Sequence, residues 1–88
     1  MKARENILKI IIDKMFEIAG HDIGYDDVLA RKDDWYAQYT MTQAQNDEWI
    51  AWSKAYLIKK PRYNKFLAER EMAMIGLCYG LKVSDPSF

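Results

Sequence analysis

The chain holds few residues that could do covalent chemistry. Its single histidine, His21, follows a glycine and has Asp22 as its near carboxylate neighbour. A zinc ion or a general base needs partners at ligand or hydrogen-bond spacing, so His21 reads as a solvated loop residue. The serines Ser53, Ser84 and Ser87 fit no nucleophile motif, and a hydrolase triad would have to draw on that same histidine. Two aspartate doublets, Asp26–Asp27 and Asp33–Asp34, recur along the next segment. On one continuous helix they would set their carboxylates on neighbouring turns, a donor set for a hard cation. Gly24 and a broken periodicity oppose that helix, so capping and solvated charge are expected instead. No catalytic residue, metal site or cofactor follows, and an enzyme is not expected.

Non-covalent chemistry has more material. Lys54, Lys59, Lys60, Arg62 and Lys65 lie in a segment, 54–65, without a single acid, whereas Asp22, Asp26, Asp27, Asp33 and Asp34 crowd residues 22–34 against Arg31 and Lys32. The basic run spans Pro61, and helix–turn–helix is one reading of residues 42–80: the second helix would open with Arg62, Tyr63, Asn64 and Lys65, side chains suited to phosphates and base edges. Against it, the turn lacks the usual glycine, the second helix is apolar over its latter half, and lysines at a helix end suit the dipole anyway. The totals also disfavour it, because 13 Lys+Arg balance 13 Asp+Glu and no global field draws nucleic acid or an acidic membrane.

Aromatics are the other binding material. Three tryptophans, six tyrosines and three phenylalanines are a heavy load for 88 residues, since a chain of that length buries only about 60–65% of its unfolded surface. Trp and Tyr are enriched where proteins meet proteins. In DDWYAQYTMT, Trp35 and Tyr39 are expected to fold back over the helix that follows, and Tyr36, on the other side at this spacing, is the better contact residue.

The elements that must position these groups follow from periodicity. A hydrophobic content of 50% argues for a folded, single domain over residues 1–88. Ile7, Leu8, Ile11, Ile12, Met15 and Ile18 oppose Lys2, Asn6, Lys9, Asp13 and Glu17, which is one amphipathic helix over 3–19 ended by Gly20. A loop and a short helix near 27–31 come next, within a helix/loop segment of about 27–39. Thr42 with Gln45 forms a capping box that starts a helix running to Lys59 or Lys60 before Pro61. Asn64 caps a last helix that stops near Gly80. The fold class is therefore all-α, a small bundle of three long helices with a short segment between the first two.

Two helices have informative faces. In the second long helix, Trp49, Ile50, Trp52, Ser53, Tyr56 and Leu57 share one arc, while Ala44, Ala51, Ala55 and Ile58 share the opposite one. Such a helix is central, or presents one face to a partner or a second copy. Trp49, Trp52, Tyr56 and Ile58 join Tyr36 as expected partner contacts. In the last helix every residue from Met72 to Leu81 is apolar or glycine, so that end is expected to be buried, with Ala73, Gly76 and Gly80 as a seam for close backbone approach. Cys78, the one cysteine, has apolar neighbours and reads as a buried thiol in a reducing cytoplasm. The first twenty residues interrupt their isoleucines with charge and form neither signal peptide nor membrane span.

The run WYAQYTMTQAQNDEWIAWSKAYLIKK, followed after a proline by a helix ending in CYGLK, resembles small helical proteins encoded by tailed bacteriophages and prophages. The resemblance covers roughly residues 27–82, and its motifs are structural: a Trp-Tyr-x-x-Tyr-Thr-x-Thr entry, an aromatic helix and a closing Tyr-Gly-Leu. It implies a phage origin and carries no agreed activity; because many short phage accessory proteins dock on a host or defence protein, a cytoplasmic accessory factor that binds and inhibits such a protein is the associated expectation. It assigns no residue a role.

Overall fold

The computed structural model describes residues 2–31 and 39–84. Most of that chain is helical: α1 Lys2–Ala19, α2 Tyr25–Arg31, α3 Gln43–Ile58 and α4 Lys65–Tyr79. Two strands of two residues, β1 Thr40–Met41 and β2 Lys82–Val83, flank the α3–α4 pair and lie parallel, Thr40 opposite Lys82 and Met41 opposite Val83. The fold is thus the expected all-α bundle, with a strand pair that periodicity could not announce. The central member is α3, which packs against both α1 and α4, while α2 lies on α1.

The helix boundaries have local causes. Gly20 adopts φ +81°, its N–H donates to the Glu17 carbonyl at 3.1 Å and the His21 N–H to the Phe16 carbonyl at 2.9 Å. That is a Schellman end, for which glycine has no steric penalty. At the start of α3, Thr42 Oγ1 accepts from the Gln45 N–H at 3.0 Å and Gln45 Oε1 accepts from the Thr42 N–H at 2.8 Å, the reciprocal box read from the sequence. Thr42→Ala should therefore lower stability by about 0.5–2 kcal/mol, measurable as a reduced midpoint in urea with an unchanged slope. Asn64 Oδ1 caps α4 through the Leu67 N–H at 2.8 Å.

Carboxylates pin α2. Asp13 Oδ1 accepts from the Tyr25 N–H at 2.8 Å, and Asp27 Oδ2 from the Gly24 N–H at 2.9 Å, so Asp27 has the capping role expected of the first doublet. Lys9 Nζ lies 3.3 Å from Asp13 and 3.4 Å from Asp26. Its hydrogen bond to Asp13 foremost, then the charge of Asp13 and the bond to Asp26, raises the Lys9 pKa above its ordinary value. The second doublet, Asp33–Asp34, lies outside the described residues, as do Trp35 and Tyr36.

The core gathers Ile11, Ile12, Met15 and Phe16 of α1, Trp49 and Leu57 of α3, Ala68, Met72 and Ile75 of α4, and Val28, Met41 and Leu81 from the connecting elements. Trp49 is fully buried and its indole N–H donates to the Ile11 carbonyl at 2.8 Å. A buried indole needs such an acceptor, and here the acceptor belongs to the helix that α3 packs against. Ser53 is also fully buried, and among the described residues its hydroxyl has no hydrogen-bond partner. An unmet buried hydroxyl is destabilising, so Ser53→Ala should raise stability by about 1 kcal/mol in a denaturant titration.

His21 departs from its expected solvated place. It is half-buried, and its Nε2 lies 2.7 Å from the Thr40 carbonyl; because a carbonyl only accepts, Nε2 carries the proton in that bond. Tyr39 stands edge-on to His21 at 5.0 Å and to Phe16 at 6.2 Å between ring centroids. Tyr39 is thus a core plug, as expected, although it packs on the end of α1. The Schellman turn makes this possible by directing the residue after Gly20 back across that helix end.

Candidate interaction surface

The expected contact residues separate by depth. Trp49, expected at a partner face, is not available to one: the arc it shares with Ser53 and Leu57 is turned inward, and all three are buried. Trp52 and Tyr56, at the edge of that arc, are half-buried. Their rings stack at 5.4 Å with an interplanar angle of 7°, Lys14 Nζ sits 4.8 Å above Trp52 and Lys60 Nζ 4.5 Å above Tyr56. This is a column of cation, ring, ring and cation, each contact contributing about 0.5–1 kcal/mol at a wet site. It staples α1 to α3, so these ring faces are occupied by the chain itself.

The opposite arc is presented outward. Ala44, Ala51, Ala55 and Ile58 are all exposed, Ile58 to 46%. The helix is therefore both central and two-faced, because α1 and α4 approach it from the same half of its circumference.

The last helix corrects the sequence reading. Between Met72 and Leu81 only Met72, Ile75 and Leu81 are buried; Met74 is 57% and Leu77 87% exposed. The reason is geometric: α3 and, across a groove, α1 lie against one side of α4, and among the described residues no further element covers the other. Near its start Phe66 is 63% exposed, with the Arg70 guanidinium 5.8 Å from its ring centroid. Cys78 is likewise exposed, contrary to the expected buried thiol. Phe66, Met74 and Leu77 were missed as surface residues, although a signal existed. A fully apolar run longer than one helix face, in a chain this short, must leave part of itself uncovered.

The seam is open. Around Gly76, its own helix backbone and chain neighbours aside, no atom of the described residues stands within 4 Å of where a Cβ would be, so among the described residues no other helix makes the close approach that its spacing suggested. Gly76→Ala should consequently stabilise by about 0.5–1 kcal/mol through helix propensity, read as a raised thermal midpoint. What lies there is a groove between α3 and α4 of about 400 Å³, walled by Asn46, Ile50 and Lys54 on one side and by Glu69, Met72, Ala73, Gly76 and Leu77 on the other. A smaller groove of about 240 Å³ separates α1 from α4, where Ile7 and Leu8 face Met74, Ile75 and Cys78.

The basic residues are only partly assembled. Lys59, Arg62 and Lys65 are exposed around the α3–α4 turn, Lys60 is engaged with Tyr56, and Lys54 lines the groove away from them. Among the described residues no three His, Cys, Asp or Glu side chains are placed to hold a metal ion, and no helix is long and apolar enough to cross a membrane. No family model matches the chain, and comparison with curated proteins and with solved structures gives no match.

Proposed function

We propose that the chain is a non-enzymatic protein-interaction module that engages its partner through the outward faces of α3 and α4. One observation carries this reading: the second half of α4 is apolar on its buried side and also on its free side, where Met74 is 57% and Leu77 87% exposed. Contiguous exposed apolar surface on a small domain marks binding sites more often than chance, and Ile58 on α3 extends the same character. The resemblance to small phage proteins supports an accessory factor acting in the host cytoplasm, docked on a host or defence protein as its inhibitor. Recovery of binding proteins from bacterial lysate tests the reading. The wild type should retain a defined protein that Leu77→Lys or Ile58→Glu releases, at unchanged thermal midpoint; equal recovery by all three would overturn it.

A second reading, nucleic-acid binding, is favoured by the exposure of Lys59, Arg62 and Lys65 at one turn. It requires binding to duplex or single-stranded probes that weakens steeply with salt as counterions are released. No binding at low salt removes it.

A further inference from the structure

We infer that the turn between α3 and α4 holds single-stranded nucleic acid, with phosphates on Lys59, Arg62 and Lys65 and one unstacked base on the ring of Phe66. This deepens the second reading above and rests on it. Lys59, Arg62 and Lys65 are exposed. Among the described residues none of the three has an acid within ion-pair reach, whereas Lys9 is paired with Asp13 and Asp26 and Lys14 with Glu17. Residues 49–68 contain no acid at all. The first one beyond them, Glu69, stands a turn further along α4 and lines the α3–α4 groove. A balanced total does not cancel such a patch, because exposed charges farther apart than about 8 Å are largely screened from one another at physiological ionic strength.

The exposed ring decides which polyanion fits. Phe66 follows Lys65 directly and is 63% exposed, with the Arg70 guanidinium over its ring at 5.8 Å from the centroid. An open aromatic next to unpaired cations is the combination that takes a splayed base on the ring and the strand's backbone on the charges. A duplex presents base edges in its grooves, and α4 has little to read them with. Asn64, the residue at that end best suited to a base edge, is already engaged, since its Oδ1 accepts from the Leu67 N–H at 2.8 Å. Leu67 and Met74, exposed farther along, offer no N–H or O–H donor in their side chains. An acidic protein segment would use the same cations but has no need of the ring. A single strand uses both.

Fluorescence anisotropy of the full chain with a labelled mixed-sequence DNA strand, with the same strand as a duplex and with labelled polyglutamate tests this across a salt series. The strand should bind more tightly than the duplex, and its affinity should fall with a log–log slope of about −2 in salt for three neutralised phosphates. Phe66→Ala should weaken the strand by about 5- to 150-fold, the range for one stacked base, with that slope and the thermal melt unchanged. Lys59→Gln, Arg62→Gln and Lys65→Gln should each flatten the slope by about 0.7. A strand that binds no better than the duplex, or Phe66→Ala without effect on it, overturns the single-strand site and leaves nucleic-acid binding in place. No binding of strand or duplex at low salt rejects both. Polyglutamate bound as tightly as the strand assigns the turn to an acidic protein and likewise overturns the inference.

Discussion

Replacing Trp49 by alanine is expected to produce the largest stability loss of any single substitution in the chain, about 3–5 kcal/mol. Against a total of about 5–15 kcal/mol for small domains, that leaves the variant largely unfolded at physiological temperature if the chain lies at the low end. Two contributions combine. The indole fills the space where α3 meets α1, fully shielded from water, and its N–H supplies a hydrogen bond to the Ile11 carbonyl at 2.8 Å. Trp49→Phe separates them, since it keeps most of the volume and deletes the donor; it should cost about 1–3 kcal/mol. Urea denaturation followed by far-ultraviolet circular dichroism measures both. A Trp49→Ala loss under about 1 kcal/mol would rule out the buried position.

The second large effect sits at Gly80. Alanine normally stabilises a helix end relative to glycine by restricting the unfolded chain, yet here the opposite sign is expected. A Cβ on Gly80 would stand 2.5 Å from the Gly76 carbonyl oxygen, the same oxygen that accepts the Gly80 N–H at 2.9 Å. Its backbone angles, φ −62° and ψ 138°, are ones any residue can adopt, so close approach within the last turn is what excludes a side chain. Relief must come from the backbone of α4 or from the turn into β2, and overpacking of this kind costs about 1–3 kcal/mol. Gly76, one turn earlier, has open space instead. Gly76→Ala and Gly80→Ala should thus shift the thermal midpoint in opposite directions. Shifts of the same sign would show that the two glycines do not differ in this way.

Much of the architecture was legible because it is written in local rules. Thr42 with Gln45, Asn64 and Gly20 each fix a helix end by side-chain bonding or a left-handed residue, and such signals need no knowledge of the rest of the fold. The inward arc of α3 was legible from periodicity alone. Depth along that arc was not: Trp49 and Trp52 lie three residues apart on it, and only the position of α1 decides that one is sealed and the other stacks beneath Lys14. The same limit explains the error on α4. An apolar run states that water is disfavoured, but whether this chain or another covers it depends on how many helices remain to do so. His21 escaped for a related reason, because its acceptor, the Thr40 carbonyl, is distant in sequence and becomes a neighbour only once α3 has docked.

The parallel pairing of β1 with β2 has a kinetic consequence. The strands are the two feet of the α3–α4 hairpin, joined by the register of Thr40 with Lys82 and by the Ser84 N–H donating to the Met41 carbonyl at 2.8 Å. Almost the whole second half of the chain must be traversed before those feet can meet, so their contacts carry high sequence separation and the closure entropy of a long loop. The two helices between them close mostly nearby contacts and can form in the transition state without the strands. Substitutions in the strand pair should therefore accelerate unfolding and leave the refolding rate nearly unchanged, the signature of a low φ-value. Val83→Gly in stopped-flow measurements would display it as a raised unfolding arm on an otherwise superimposable chevron. A refolding arm lowered in proportion to the stability loss would place the ladder in the nucleus, and the hairpin would then be a late arrival at a frame that its own ends had already closed.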